Sequence, residues 1–127
     1  MYHFAPSSLT HLKQVHPDLR AVMMEAKNRA EIDFDISEGH RSQKRQLELY
    51  HAGKSQLDGY KHKSKHNFTP SLAVDIYAYK GASADYDLDK LRYLTDIFKA
   101  VAEEFDILIE CGIDWPDFVD GPHIELV

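Results

Sequence analysis

The sequence predicts an α+β fold with a small, mainly antiparallel sheet and about three helices. Segments with helical spacing and short strand-like segments are mixed along the chain. The chain has 127 residues, which fits one domain, and its apolar content of 43% is typical of a globular protein. We therefore expect a single domain over residues 1–127.

The first helix is predicted to begin at Pro17. Residues 1–16 look irregular, whereas Pro17 followed by Asp18 is typical of a first helical turn. The apolar residues that follow recur at helical spacing: Leu19, Val22, Met23, Ala26 and Ala30.

A strand and a second helix are predicted next. Residues 32–36 alternate strictly between apolar and acidic side chains, which indicates a half-buried strand. Ser42 can cap a second helix, with Leu47 and Tyr50 facing inward and Gly53 near its end.

Residues 54–71 are polar and are predicted to form a long loop before a strand at 72–79. Long loops in compact domains are often functional. Part of this loop is basic, and it can be either a solvated segment or a patch that steers anions: Lys54, Lys61, Lys63 and Lys65.

The last third of the chain predicts one more helix and two short strands. Asp87 can cap the helix, and the strands are expected at residues 107–109 and 123–127, on either side of a turn-rich connection. The inward face of the helix is expected to carry Leu88, Leu91, Leu94, Phe98, Val101 and Phe105.

Composition excludes several classes of protein. A net charge of -6 weighs against nucleic acid as a partner, because neutralising phosphates requires a basic surface. No apolar run approaches the ~20 residues of a transmembrane helix, so we expect no stable membrane insertion. The first residues lack the basic and apolar regions of a secretory signal. The single cysteine, Cys111, allows no internal disulfide and is expected to be a buried, inert thiol.

Asp75 lies inside an apolar run that is predicted to be a strand. Because side chains alternate along a strand, Asp75 shares a face with Ala73 and Tyr77 and not with Val74 and Ile76. A buried carboxylate is costly unless it is paired or binds a metal. A metal ligand and a salt-bridged or capping aspartate fit this stretch equally well.

Two histidines are possible partners of Asp75. His66 lies in the preceding loop, which can fold back toward the strand, although a histidine in a polar loop is usually a surface residue. His123 begins the C-terminal strand and shares a face with Glu125. Two nitrogens and one carboxylate oxygen form a usual catalytic zinc set with an open fourth position. Asp120 precedes His123 by a Gly-Pro turn, which makes it a candidate general base.

Arg41 lies at the end of the first predicted strand, just before a helix. A guanidinium at this place could bind a substrate carboxylate or stabilise an oxyanion. Taken alone, Arg41 is better explained as a surface residue paired with Glu38.

Together these segments resemble the M15 family of zinc peptidases that cut peptidoglycan peptides. The family includes D-alanyl-D-alanine dipeptidases and carboxypeptidases and the small phage endolysins that are L-alanyl-D-glutamate endopeptidases. Four segments carry the resemblance: residues 15–19; residues 32–34 with 38–42, Gln46, Leu49 and Gly53; residues 64–66 with 73–75; and Trp115 and Phe118 with residues 120–126. The resemblance implies the D,D-peptidase/Hedgehog-like zinc peptidase fold.

The resemblance also implies roles for individual residues. The zinc ligands would be His66, Asp75 and His123, and the general base would be Asp120. Arg41 matches the arginine that stabilises the developing oxyanion and anchors substrate. Three further residues are expected to bind substrate: Ser64, Gln46 and Trp115.

One feature departs from the family pattern. In much of the family the aspartate follows the histidine by seven residues with a glycine between them, whereas here the interval from His66 to Asp75 is nine and holds residues 69–71 as a turn. We interpret the longer interval as a loop variant. Asn67 is a weaker alternative ligand.

The resemblance implies an enzyme that hydrolyses the L-alanyl-D-glutamate bond of peptidoglycan stem peptides as a phage endolysin. The alternatives are a D-alanyl-D-alanine carboxypeptidase or dipeptidase and a non-catalytic zinc-binding module of the cell wall. We expect a monomer without a signal peptide in the host cytoplasm, which acts in the periplasm once the membrane is permeabilised.

Overall fold

Four α-helices and five strands make up residues 2–127, the part of the chain that this computed structural model describes. In chain order they are α1 (Pro6–Leu12), α2 (Pro17–Arg29), β1 (Phe34–Glu38), α3 (Gln43–His51), β2 (Ala73–Lys80), β3 (Ser83–Asp85), α4 (Leu88–Glu104), β4 (Ile109–Cys111) and β5 (His123–Leu126). Two 3-10 turns lie at Lys65–Asn67 and Gly112–Asp114. The predicted α+β class is confirmed.

The strands form one sheet around β2, and every pairing in it is antiparallel. The order is β1-β2-β5-β4, and β3 pairs with the C-terminal part of β2. The register places Asp75 of β2 opposite His123 of β5 on one side and opposite Glu38 of β1 on the other. Three polar residues therefore lie side by side across the middle of the sheet.

The two faces of β2 have different surroundings, as the alternation predicts. Val74, Ile76 and Ala78 are fully buried in the hydrophobic core with residues of α2 and α4. Asp75 and Tyr77 are only partly buried on the opposite face. One face thus stabilises the fold while the other is free to carry polar groups.

The N-terminal segment corrects one prediction, because residues 6–12 form α1 and are not irregular. The predicted strand at 32–36 begins later, at Phe34, and its Asp35 is buried. The Asp35 carboxylate accepts hydrogen bonds from the Ser8 hydroxyl at 2.5 Å and the Tyr79 hydroxyl at 2.5 Å. These partners are distant in sequence, so the alternating pattern alone could not reveal them.

Two helical faces also differ from expectation. Leu88 and Phe105, expected to face inward, are exposed because each lies at an end of α4. In α3 the buried residue is Gln46, while Tyr50 is exposed. The predicted strand at 107–109 is displaced to Ile109–Cys111, and β3 was not predicted.

The predicted loop at 54–71 is largely irregular apart from the 3-10 turn at Lys65–Asn67. Its end is fixed by Ser71, which forms a bridge with Val15 and is fully buried. Among residues 2–127, no helix is long and apolar enough to cross a membrane.

Candidate active site

His66, Asp75 and His123 converge at the polar face of the sheet. One ligand atom from each lies within 4.8 Å of the other two. Asp75 and His123 come from paired strands, whereas His66 comes from the 3-10 turn in the long loop. The structure therefore brings together the three residues that were expected to bind metal.

The imidazole of His66 is held in one tautomer. Its Nδ1 lies 2.8 Å from the carbonyl oxygen of Gly39, which can only accept, so Nδ1 carries the proton. Its Nε2 is therefore a bare lone pair, and it is buried without a hydrogen-bond partner among the described residues. The turn itself is capped by Ser64, whose hydroxyl accepts from the His66 N–H.

The imidazole of His123 is also held by a hydrogen bond at one nitrogen, but here that nitrogen is Nε2 and the one that faces Asp75 is Nδ1. Its Nε2 lies 2.8 Å from Glu125 Oε1, and its Nδ1 lies 3.3 Å from Asp75 Oδ1. Burial alone would lower the pKa of His123, but the carboxylates of Asp75 and Glu125 raise it to about 9. A carboxylate behind a histidine ligand fixes its orientation and makes it a better donor.

Asp75 presents one oxygen to both imidazoles. Its Oδ1 lies 3.3 Å from His66 Nε2 and 3.3 Å from His123 Nδ1, and it is buried without a hydrogen-bond partner among residues 2–127. Burial would raise the pKa of Asp75, but the two imidazoles outweigh it and hold the pKa well below its usual range. Asp75 is therefore a carboxylate at neutral pH.

A metal ion fits this donor set. With His66 Nδ1 engaged by the Gly39 carbonyl, the buried lone pair of His66 Nε2 is directed at the negative Asp75 Oδ1. His123 Nδ1 faces the same oxygen, because Glu125 holds the other ring nitrogen. Such an arrangement is unfavourable unless a cation lies between the donors. Tetrahedral ligands about 2.0–2.1 Å from zinc lie roughly 3.3–3.4 Å apart, which agrees with both measured separations.

Arg41 supports the second oxygen of Asp75. Its guanidinium pairs with both oxygens of Glu38 at 2.7 Å, donates to Gln46 Oε1 at 2.8 Å and lies 3.3 Å from Asp75 Oδ2. Burial would lower the pKa of Arg41, but Glu38 and Asp75 raise it. The expected pairing with Glu38 is present, and the same guanidinium reaches the metal-ligand set.

Gln46 and Asn67 are engaged away from the site. Gln46 is fully buried, and its amide contacts Arg41, the Ser55 hydroxyl and the Leu57 carbonyl. Gln46 therefore does not line the cavity, and its contact with substrate stays a prediction. The amide of Asn67 is bound to the Ser64 N–H and the Arg41 carbonyl, which leaves it unsuited as the alternative ligand.

The three converging side chains lie at one side of a cavity of about 480 Å³. This volume is in the range of small-molecule sites. Of the other residues expected to act in the site, four line the cavity: Arg41, Ser64, Trp115 and Asp120. The Trp115 ring also lies 5.1 Å from the His123 ring, so it packs beside one of the three predicted ligands.

Asp120 is placed by a close backbone contact with Gly112. Its N–H donates to the Gly112 carbonyl at 3.0 Å, and a Cβ on Gly112 would lie 2.3 Å from the Asp120 carbonyl oxygen. Position 112 therefore has to be glycine for this loop to keep its path.

The Asp120 carboxyl has a raised pKa. Burial raises it, and the nearby negative charge of Asp75 raises it further.

Three residues of the site were not singled out from the sequence. Glu38 was considered only as a surface partner of Arg41, and Glu125 only as a neighbour of His123 on the strand. The Gly39 carbonyl, which accepts from both His66 Nδ1 and the Ser71 hydroxyl at 3.1 Å, had no signal in the side-chain pattern. The strand alternation at residues 123–125 could have identified Glu125.

Comparison with known proteins agrees with this geometry. The chain matches the family described as phage L-alanyl-D-glutamate peptidase over residues 1–127. It is similar to the crystal structure of Serratia marcescens L-Ala D-Glu endopeptidase ChiX, with a TM-score of 0.85 and 32% identity, over 98% of this chain and 90% of that chain. No curated protein gives a significant match. The similarity confirms the expected peptidase fold, and the chain belongs to the phage L-alanyl-D-glutamate peptidase family, the peptidases of peptidoglycan.

Proposed function

We propose that the chain is a zinc-dependent endopeptidase with a single catalytic domain, and that His66, Asp75 and His123 hold the metal. The observation that carries the proposal is the convergence of His66, Asp75 and His123, because two of the converging atoms, His66 Nε2 and Asp75 Oδ1, are buried without a hydrogen-bond partner among the described residues. The other polar atoms of the three side chains are engaged elsewhere. Two nitrogens and one carboxylate oxygen are a usual ligand set of catalytic zinc. The scissile bond is the L-alanyl-D-glutamate bond named in the family description.

A zinc ion bound there would act as a Lewis acid toward the scissile carbonyl and toward water. We assign the general base to Asp120, because its carboxylate lines the same cavity as the three ligands. Asp120 would accept a proton from the attacking water and return it to the leaving amine, which is the usual work of a positioned carboxylate in peptide hydrolysis.

Arg41 combines two roles in this proposal. Its contacts with Glu38, Gln46 and Asp75 use four of the five N–H groups of a guanidinium. The remaining N–H is the donor that a substrate oxygen would use. Ser64 and Trp115 line the cavity and would contact substrate directly, whereas Gln46 would act through Arg41.

The biological setting proposed for this activity is host lysis by a phage, with action on the wall from the periplasm. The family description, which names phage peptidases, supports it. The three proposed ligands and the proposed base lie together within a single chain, and we propose that the active form is a monomer.

Digestion of purified peptidoglycan followed by mass spectrometry tests the proposal. We expect new amino termini on D-glutamate, loss of this product when a chelator is present, and its return when zinc is restored. Release of terminal D-alanine without any cut after L-alanine would overturn the assigned bond. Full activity after exhaustive chelation would overturn the proposed dependence on a metal ion.

A further inference from the structure

The cavity has a second wall that the proposed chemistry does not use. It is formed by residues of α3 and of the loop that follows, and four of its members are basic: Arg45, Lys54, Lys63 and Lys65. We call these four residues the basic wall. A concentration of cations on one side of a cavity is unexpected in a chain with a net charge of -6.

The lysines of the basic wall are not neutralised by the protein. The lysine ion pairs within residues 2–127 involve Lys27, Lys90 and Lys99, and none involves Lys54, Lys63 or Lys65. Arg45 has only an exposed contact with Glu48, at 3.5 Å. Exposed pairs of this kind contribute little, so all four cations remain available to an anion.

The glutamates that line the cavity are instead paired. Glu38 is held by Arg41, and Glu125 is held by His123. Both lie on the strands at the metal-ligand side, with Asp75 between them. The cavity therefore holds paired anions beside the proposed metal and unpaired cations in the basic wall.

The substrate named by the family supplies a matching anion. A glutamyl residue has two carboxyl groups, and the peptide chain that continues beyond it uses only one of them. The other stays on the residue that provides the leaving amine, a few bonds from the scissile amide. At neutral pH it is ionised, because a glutamyl carboxyl titrates near ~4.

We propose that the basic wall is a subsite for this free carboxylate of the glutamyl residue. The inference rests on the proposed function and adds a determinant of its specificity. Lys63 and Lys65 flank Ser64, which lines the same cavity, so the three residues would contact the substrate on its leaving-group side. A carboxylate bound there would orient the scissile amide relative to His66, the next residue along the chain.

Two synthetic stem peptides test the subsite. They share the L-alanyl-D-glutamyl bond and differ only in the second glutamyl carboxyl, which is free in one peptide and a carboxamide in the other. We expect the wild-type protein to prefer the free carboxylate by roughly three- to tenfold in kcat/KM, because several partly exposed cations each contribute modestly. The combined variant Lys54→Gln, Lys63→Gln, Lys65→Gln should lose this preference through a higher KM for the carboxylate peptide.

Lys61→Gln is the matched control, because Lys61 belongs to the same loop and does not line the cavity. It should keep the wild-type preference. Equal cleavage of both peptides by the wild type, or an equal loss on both peptides in the triple variant, would overturn the subsite while leaving the peptidase activity intact. Failure of the wild type to cut either peptide would instead overturn the proposed function, and the subsite with it.

Discussion

The two walls of the cavity carry opposite charges and hold them in opposite ways. One wall carries His66, Asp75 and His123, and we call it the metal-ligand wall. Its ionisable groups are buried or half-buried, and short contacts fix them in the pairing of Arg41 with Glu38 and of His123 with Glu125. On the basic wall, Lys54 and Lys63 are exposed side chains of a loop without ion pairs among the described residues. The first wall can therefore hold its side chains in fixed positions, whereas the second can attract an anion without fixing its position.

The two walls also differ in backbone structure, because most of the metal-ligand wall lies on strands and most of the basic wall lies on a loop. Asp75 and His123 lie opposite each other on paired strands, so their separation is set by the sheet. Sites on strands are held more precisely than sites on loops. His66 is the exception, since it comes from the loop, and it gains its rigidity from the Gly39 carbonyl and the Ser64 cap. The comparison predicts large effects on the first wall and small ones on the second.

The largest effect is expected from Asp120→Asn, which removes the proposed base without removing a ligand atom. Peptidoglycan cleavage should fall by a factor on the order of 10² or more, because an amide cannot accept the proton. Metal content, measured by elemental analysis, should stay at the wild-type value. Activity within twofold of wild type would remove Asp120 from the mechanism.

A smaller loss is expected from Gly112→Ala, which leaves every functional side chain in place. The new Cβ would lie 2.3 Å from the Asp120 backbone oxygen, so the loop has to move. A displacement of about 1 Å can cost on the order of 10² in rate. Gly121→Ala is the graded control, because its Cβ would meet only the flexible ends of Leu91 and Leu88, at 3.0 and 3.2 Å. Equal losses in the two variants would show that the Gly112 contact has no special role.

Glu125→Ala tests the support behind a ligand. Without the carboxylate, the Nε2–H of His123 loses its acceptor at 2.8 Å, and the tautomer that binds metal is no longer favoured. Metal affinity should fall roughly 10- to 100-fold in a competition titration with a chromophoric chelator. Glu125→Gln, which keeps an acceptor oxygen, should recover part of the loss. Wild-type affinity in the alanine variant would contradict this role.

The smallest effect is expected from salt, which acts on the exposed wall and not on the buried one. Raising ionic strength from ~0.01 to 0.15 M shortens the screening length from about 30 to 8 Å. We expect kcat/KM to fall a few-fold through KM, with kcat unchanged, in steady-state assays on the carboxylate peptide. A fall confined to kcat would place the electrostatic effect at the metal-ligand wall instead.

The parts of the site that lie on strands were predictable from the sequence, because alternation is a local property of the chain. It placed Asp75 and Tyr77 on one face of β2 and His123 with Glu125 on one face of β5. The helix caps at Ser42 and Asp87 are also local and are present as expected.

The parts that depend on distant partners could not be predicted in this way. Asp35 is buried against Ser8 of α1, which packs beside β1, and against Tyr79 of β2. The buried link from Arg41 through Gln46 to the loop at 55–57 joins residues that are closer in sequence, but it depends on the path of an irregular loop that no periodicity describes. Polar residues of this kind look like surface residues until their partners are known.

The central claim is that His66, Asp75 and His123 together bind one zinc ion, and metal stoichiometry of single alanine variants tests it most directly. We predict about one zinc per chain in the wild type and in His62→Ala, a control from the same loop, and loss of bound zinc in each of the three ligand variants. Full retention of tightly bound zinc in any one of those three variants would contradict the claim.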